Sequence, residues 1–469
     1  MLKWLAALTG NGKSRHNGDG RKKHRNSGPH KPQGALQAVR IPRAEHGISR
    51  KDIDEHALKV LYRLRKAGYH ACLVGGAVRD LALGKRPKDF DVATDATPEE
   101  VNRLFRNCRL IGRRFRLAHI HFGRQIIEVA TFRGDHDASR DGHLDDSGRI
   151  LRDNVYGSID EDVWRRDFTA NALYYDIEDF SVIDFVDGWR DIHDKRLRVI
   201  GDTDTRFRED PVRMIRAIRF AAKLGFHIDE EIREAIHRLG HLLQDIPPAR
   251  LYEETLKLFH SGHAVESFQQ LRDYHLLQYL FPQTAAIIEE DGAAVRFIEL
   301  ALHSTDKRIR AELPVTPAFL FAAMLWAPLQ RRVAQEVEQG VPYAMAMQQS
   351  ITDVVGEQVR SLSIPRRFTT VMRDIWAMQA RFRYRKGKRA HSLFHHPKFR
   401  AAYDFICLRG EAGEDVGEDV TFWTEKQQHT PSAQHAGEGA GQERGPGGQG
   451  GGHSRRRRPR RRPRKRRPQ

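Results

Sequence analysis

Cysteine is scarce: Cys72, Cys108 and Cys407 are the only three in 469 residues, far apart and without a Cys-x-x-Cys pair. That argues against a disulfide framework or a structural zinc and for a reducing, cytoplasmic setting. Long apolar runs are also missing. Nothing approaches the ~18 apolar residues of a membrane span, so stable membrane insertion is not expected. The opening Met1-Leu-Lys-Trp-Leu-Ala-Ala-Leu8 is too brief for a secretory core and has no convincing cleavage site. It reads as a disordered leader or a weak interfacial anchor. No repeat of fixed period stands out, and no Ser/His/Asp or Cys/His hydrolytic arrangement can be placed. The histidines show no metal-ligand spacing; His119 and His121 alternate on an expected strand, where packing accounts for them. Hydrophobic residues, by contrast, make up 39% of the chain, enough for real cores. The length suits about three domains at ~150 residues each.

Lys+Arg 80 against Asp+Glu 62 give a net charge of +18, and it sits at the ends. Residues 455–469 hold 11 basic residues and no acid, and residues 1–43 hold 10 against Asp19, leaving −2 for everything between. Ahead of the C-terminal run, 9 of the 16 residues in 437–452 are glycine, a flexible tether. Pro459, Pro463 and Pro468 keep the arginine blocks out of a stable helix. Arms of this kind attract phosphate backbones through counterion release without reading sequence. Two of them flanking a near-neutral body favour nucleic acid over a mere solubility tail.

Between the arms, periodicity predicts a helix over 53–67 ended by Gly68 and a strand over 70–74. Gly75-Gly76 then turns into a helix over 77–83, stopped by Gly84. A strand is expected at 90–93, and Thr97-Pro98-Glu99-Glu100 is a capping box opening a helix to about Arg106. Residues 126–132 read as a strand, and 134–154, rich in Asp, Gly, Ser and His, as a mobile loop. Ser158-Ile-Asp-Glu161 caps a helix expected to run to about Ala170, followed by strands at 173–177, 182–185 and 197–200. From Asp210 almost to Arg409 the pattern is helical. The boundaries that follow are a basic disordered arm at 1–50, a head at 51–200, a helical neck at 201–265, a helical body at 266–425, and a Gly-rich linker with its Arg/Pro tail at 426–469.

Chemistry concentrates in a few places. In Asp89-Phe90-Asp91, two carboxylates at i and i+2 of a strand share one face, while Phe90 and Val92 point to the core. Such a pair repels unless a cation sits between, and oxygen-only ligands favour Mg²⁺. Just upstream, Leu73-Val-Gly-Gly-Ala-Val-Arg-Asp80 is strand, two glycines and helix: bare backbone and free N–H groups for an anion, with Arg79 one turn inside. A phosphate cradle followed 13 residues after Gly76 by Asp-x-Asp resembles the plan of polymerase-beta-type nucleotidyltransferases. Glu128, in the apolar run 126–130, needs a partner or a metal. It either completes a three-carboxylate site or pairs with an arginine of 113–124. Asp210 before Pro211 looks like an N-cap, and Arg213, Arg216 and Arg219 recur every three residues on the helix that follows.

Taken in order, Gly75-Gly76-Ala77-Val78-Arg79-Asp80, Asp89–Asp91, Arg165-Arg166-Asp167-Phe168-Thr169-Ala170-Asn171 and Glu209–Arg213 closely resemble the class II tRNA nucleotidyltransferase and bacterial poly(A) polymerase family. The segment 110–120, His396–Phe405 and the Arg/Pro-rich end resemble its poly(A)-adding branch rather than its CCA-adding branch; Trp164, where a polar residue is expected, departs from the pattern. The resemblance implies an α+β fold: a small nucleotidyltransferase head of mixed sheet and helices, then a mostly α-helical body. It implies untemplated addition of AMP from ATP to RNA 3′ ends, with RNA-decay proteins as further partners. Asp89 and Asp91 would bind two Mg²⁺ ions, with Asp167 also essential and either Glu128 or Asp167 as the third acid. Gly75, Gly76, Arg79 and Arg166 would position phosphates, and Asn171, Arg216 and Arg219 would complete the nucleotide site. Asp210 and Arg213 would read the base. A CCA-adding enzyme and a catalytically inactive RNA-binding protein are the alternatives.

Overall fold

The computed structural model describes residues 37–112, 116–134 and 155–429. Residues 1–36, Arg113-Arg114-Phe115 of the expected branch signature, nearly all of the expected 134–154 loop, and the Gly-rich and Arg/Pro-rich end lie outside the described residues. The rest of the arm expected at 1–50 belongs instead to the head: Val39–Ile41 pairs with Val182–Asp184, and Ile41, His46 and Ile48 are buried. Among the described residues no helix is long and apolar enough to cross a membrane.

The head is built on eight strands: β1 (Val39–Ile41), β2 (Ala71–Val74), β3 (Asp91–Thr94), β4 (Cys108–Ile111), β5 (Leu117–Phe122), β6 (Gln125–Thr131), β7 (Leu173–Asp176) and β8 (Val182–Asp184). Their order across the sheet is β1-β8-β7-β2-β3-β6-β5-β4. Only β3 and β6 run parallel; every other neighbouring pair is antiparallel. Strand β2 sits at the centre with all four residues buried. Alternation divides it: Ala71 and Leu73 enter the main core, Cys72 and Val74 a second cluster on the opposite face.

The helix Glu55–Lys66 covers the main-core face. Asp54 caps it by accepting from the His56 and Ala57 N–H groups, and Ala57, Val60, Leu61 and Leu64 form its buried stripe. The capping box at Thr97 forms as expected, with its helix at Pro98–Leu104. Ser158 and Glu161 form theirs as well, but the helix spans only Ile159–Trp164. The expected continuation to Ala170 is overturned because Phe168 turns extended and fully buried, bridging Val199. The Thr169 N–H donates to Arg198 O and the Ile200 N–H to Asp167 O. Arg165, Arg166 and Asp167 therefore occupy a turn pinned at both ends, with Trp164 half-buried against the Cys72 cluster.

Beyond the head, the helices Thr203–Glu209 and Val212–Leu224 lead into a succession of helices reaching His429. The strand signals in this half reduce to His227–Ile228, paired with Arg196–Leu197. Chain of both halves contributes to one continuous apolar core, from Ile41 in the head to Ala412 in the body. A separate cluster around Phe382, Phe399 and Trp423 closes the far end.

Candidate active site

Strand register brings the acids together. Asp91 is paired with Val74, which precedes Gly75-Gly76, and parallel β3–β6 pairing sets Val92 against Val129, so Glu128 comes beside Asp91. β3 begins at Asp91, so Asp89 stands on the approach to the strand rather than within it, and Phe90 is only half-buried. Asp91 is exposed at the mouth of a cleft, yet enclosure of its carboxyl by the cleft walls, then Glu128 and Asp89, push it up to about 6. Asp91 thus feels both other acids, although Asp89 is not among the residues that line the cleft. Glu128 is not buried: its side chain is 42% exposed and meets His119 Nε2 at 3.2 Å, the partner here being a histidine rather than an arginine.

The cleft encloses about 490 Å³ and is lined from the head by Gly75, Gly76 and the turn at 165–167, and from the neck by Asp210, Arg213 and Arg216. Gly75 has φ +67°, and a Cβ there would come within 3.3 Å of Arg166 Nη1, so both backbone and space demand glycine. Its N–H donates to Leu173 O, so Gly75 supplies room rather than a donor. Arg79 is buried and tied down, donating to Asp80 Oδ1 (2.8 and 2.6 Å) and to Asn171 Oδ1 (2.5 Å).

Arg166 donates through Nε and Nη2 to Asp162 Oδ2 (3.1 and 2.9 Å), through Nε to the Tyr174 hydroxyl (2.7 Å), and through Nη1 to Asn171 O. Burial opposes its charge, but Tyr174 and Asp162 outweigh this and hold it firmly protonated. Asp167 is engaged on both oxygens. Arg216 donates to Oδ2 through Nε (2.9 Å) and Nη2, and the Phe168 N–H and Asn171 Nδ2 donate to Oδ1 (2.9 and 3.3 Å). Burial alone would raise this carboxyl; Arg216 pulls it below its ordinary range.

On the neck side, Asp210 accepts from Arg250 Nη2 at 2.7 Å and, cap-like, from the Val212 N–H at 3.3 Å, although Pro211 is the residue directly before the helix. Arg213 donates to Arg206 O (2.6 Å) and Glu209 Oε2 (3.0 Å). Arg206 donates to the same Glu209 oxygen and to Arg166 O, both at 2.6 Å, and so ties the neck to the head turn. Burial, then Arg213, lower Arg206 to about 10. Arg219 is absent from the cleft lining; its guanidinium lies over the Phe220 ring at 4.5 Å.

Sequence reasoning passed over Asp162, Tyr174, Arg206, Glu209 and Arg250 as site residues. Asp162–Arg166 and Glu209–Arg213 follow i,i+4 helical spacing and were open to detection that way. Tyr174 and Arg250 arrive through the fold alone.

Three segments match family models: "Poly A polymerase head domain" at residues 71–198, "Probable RNA and SrmB- binding site of polymerase A" at 225–288, and "Polymerase A arginine-rich C-terminus" at 339–465. The chain is 55% identical over 405 residues to poly(A) polymerase I of Salmonella typhimurium, covering 84% of this chain and 87% of that one. A CCA-adding enzyme of Lactobacillus helveticus is 36% identical over 228 residues, 48% of this chain and 55% of that one. In fold the chain is similar to the crystal structure of the Bacillus stearothermophilus CCA-adding enzyme in complex with CTP, with TM-score 0.55, 24% identity and coverage of 83% and 88%.

Proposed function

The chain belongs to the bacterial poly(A) polymerase family, whose members add AMP from ATP to RNA 3′ ends with a divalent metal, and we propose that the cleft residues divide that work as follows. Asp89, Asp91 and Glu128 are the acids fitted to the metal. Their oxygen-only donor set suits Mg²⁺, and the raised Asp91 carboxyl marks a place short of positive charge. Two bound ions would supply activation of the RNA 3′-hydroxyl and neutralisation of the departing pyrophosphate. Asp167, with both oxygens taken, is a positioning residue that holds Arg216 and the 165–167 turn in place. Arg166, locked by Asp162 and Tyr174, faces the Gly75-Gly76 turn, and together these receive the triphosphate. Arg79 and Asn171 brace that turn from behind.

Asp210 and Arg213 read the base: Asp accepts from the adenine N6 amine and Arg donates to N1. Cytosine shows the same order through N4 and N3, so the pair excludes G and U, and pocket size selects A over C. Arg250 and Glu209 hold the two readers in place. That fixed pair is the observation that carries the reading. Purified protein with Mg²⁺, an unstructured oligonucleotide and each nucleotide offered separately should extend with ATP alone, which also sets it apart from a CCA-adding enzyme. Arg213→Ala is expected to lose about 1–3 kcal/mol of preference for ATP over UTP. Unchanged preference would remove the basis for the assignment.

The head (51–200), neck (201–265) and body (266–425) take the roles of chemistry, base reading and RNA binding. RNA-decay proteins as partners and a cytoplasmic location belong to the same reading. Deleting 437–469 should flatten the salt dependence of RNA binding and shorten processive runs while leaving single-nucleotide addition intact, because those residues carry the C-terminal arginine blocks. An unaltered slope of log affinity against log salt would contradict this.

A further inference from the structure

Two rows along the same sheet face from Asp91, roughly 7 Å away at strand rise, three different ligand types converge. Cys72 of β2 is directly paired with Asp176 of β7, so their side chains stand together on one face, and His70, two residues before Cys72, shares that face. His70 Nε2 lies 3.3 Å from Asp176 Oδ2 and 3.5 Å from Cys72 Sγ. Among the described residues this is the one group of three whose ligand atoms all lie within 4.8 Å of one another. The acids of the cleft are more widely spread.

We propose that His70, Cys72 and Asp176 form a second cation site that takes Zn²⁺ through one nitrogen, one sulfur and one oxygen. With Zn–S about 2.3 Å and Zn–N and Zn–O about 2.0–2.1 Å, a tetrahedron sets sulfur and nitrogen about 3.5 Å apart and nitrogen and oxygen about 3.3 Å apart. The observed separations already have those values. Cys72 is fully buried and Asp176 nearly so, while the His70 side chain is 34% exposed and provides the entry side. Asp95, bonded to the His70 N–H, and Asp179 add negative charge nearby. Among the described residues Arg40 is the opposing cation, and its short bonds go to Asp179 (2.7 Å) and Ser181 (3.1 Å), with Asp176 at 3.4 Å. Ligation releases the thiol proton to solvent, requires the proton between His70 Nε2 and Asp176 to leave Nε2 for Nδ1 or solvent, and leaves the fourth position to water. Spacing along the sequence carries no sign of such a site. The third ligand arrives on a strand 104 residues after Cys72.

The ion would staple β2 to β7 just before β2 runs into Gly75-Gly76. The test uses the full chain in saturating Mg²⁺, so that the cleft carboxylates are occupied, titrated with Co²⁺ and then Zn²⁺. One Co²⁺ per chain is expected to give a thiolate-to-cobalt charge-transfer band that Zn²⁺ displaces, and Zn²⁺ should raise Tm by about 2–4 °C. Cys72→Ala should lose the band. His70→Gln, at a half-exposed position, should keep the fold and bind Co²⁺ at least roughly tenfold more weakly. A missing thiolate band, a band that survives in Cys72→Ala, or unchanged affinity in His70→Gln would overturn the site.

Discussion

Asp91→Asn is expected to lower AMP incorporation at least about a thousandfold, equivalent to roughly 4 kcal/mol of transition-state stabilisation. The reasoning starts from repulsion. Without metal, Asp91 is crowded by the cleft walls, Glu128 and Asp89, so its carboxyl rises from its ordinary 3.8 to about 6. A raised carboxyl makes the charged group a penalty on the folded state at neutral pH. That penalty is relieved as pH falls through about 6 toward 3.8. In chelator, the Asn variant should therefore melt no lower than the parent at pH 7 and show a flatter stability profile between those two values. Activity and stability move apart, which separates a lost metal ligand from a misfolded head. Incorporation assays and thermal melts on the same preparation read both; retained activity, or a lower Tm that explains its loss, would refute the assignment.

The second large effect is expected at Asp167, and it has the opposite signature. Asp167→Asn removes the charge that Arg216 faces, and Asp167→Ala also strips the acceptor from Phe168 N–H and Asn171 Nδ2. Leaving a partly buried guanidinium without its partner costs roughly 2–4 kcal/mol. Tm should drop in Asp167→Ala and in Arg216→Ala, with the double variant little worse than either single one. The Mg²⁺ concentration for half-maximal activity should stay where it was in both Asp167 variants, whereas Glu128→Gln should raise it. A shifted Mg²⁺ requirement in Asp167→Asn at unchanged Tm would make Asp167 the third metal acid instead of Glu128.

Much of the architecture could be read from local rules. The Thr97 box, the helix expected over 53–67 and the Gly75-Gly76 turn depend on residues a few positions apart, and the structure has them, the helix at Glu55–Lys66. The helix thought to reach Ala170 failed because burying Phe168 against Val199, a contact with no local signal, overrides the helical pattern. Candidate site residues divide in the same way. Asp89, Asp91 and Gly75 stand out by type and spacing; Asp91 and Gly75 line the cleft, and Asp89 does not. The tasks of Asp167, Arg206 and Arg250 are set by partners 40 or more residues distant, as in Arg216–Asp167 and Arg250–Asp210. Glu128 looked like a buried charge because its neighbours are apolar, but alternate residues of β6 face the open cleft.

The apolar core that runs unbroken from Ile41 to Ala412 has a consequence for how the molecule comes apart. A fragment ending near residue 200 would leave the partners of Val212, Ile215 and Ile218 facing water, so the head and the helical body are expected to unfold as one cooperative unit. The satellite around Trp423 lies outside that core at the far end of the described helices, so it is the part expected to fray first.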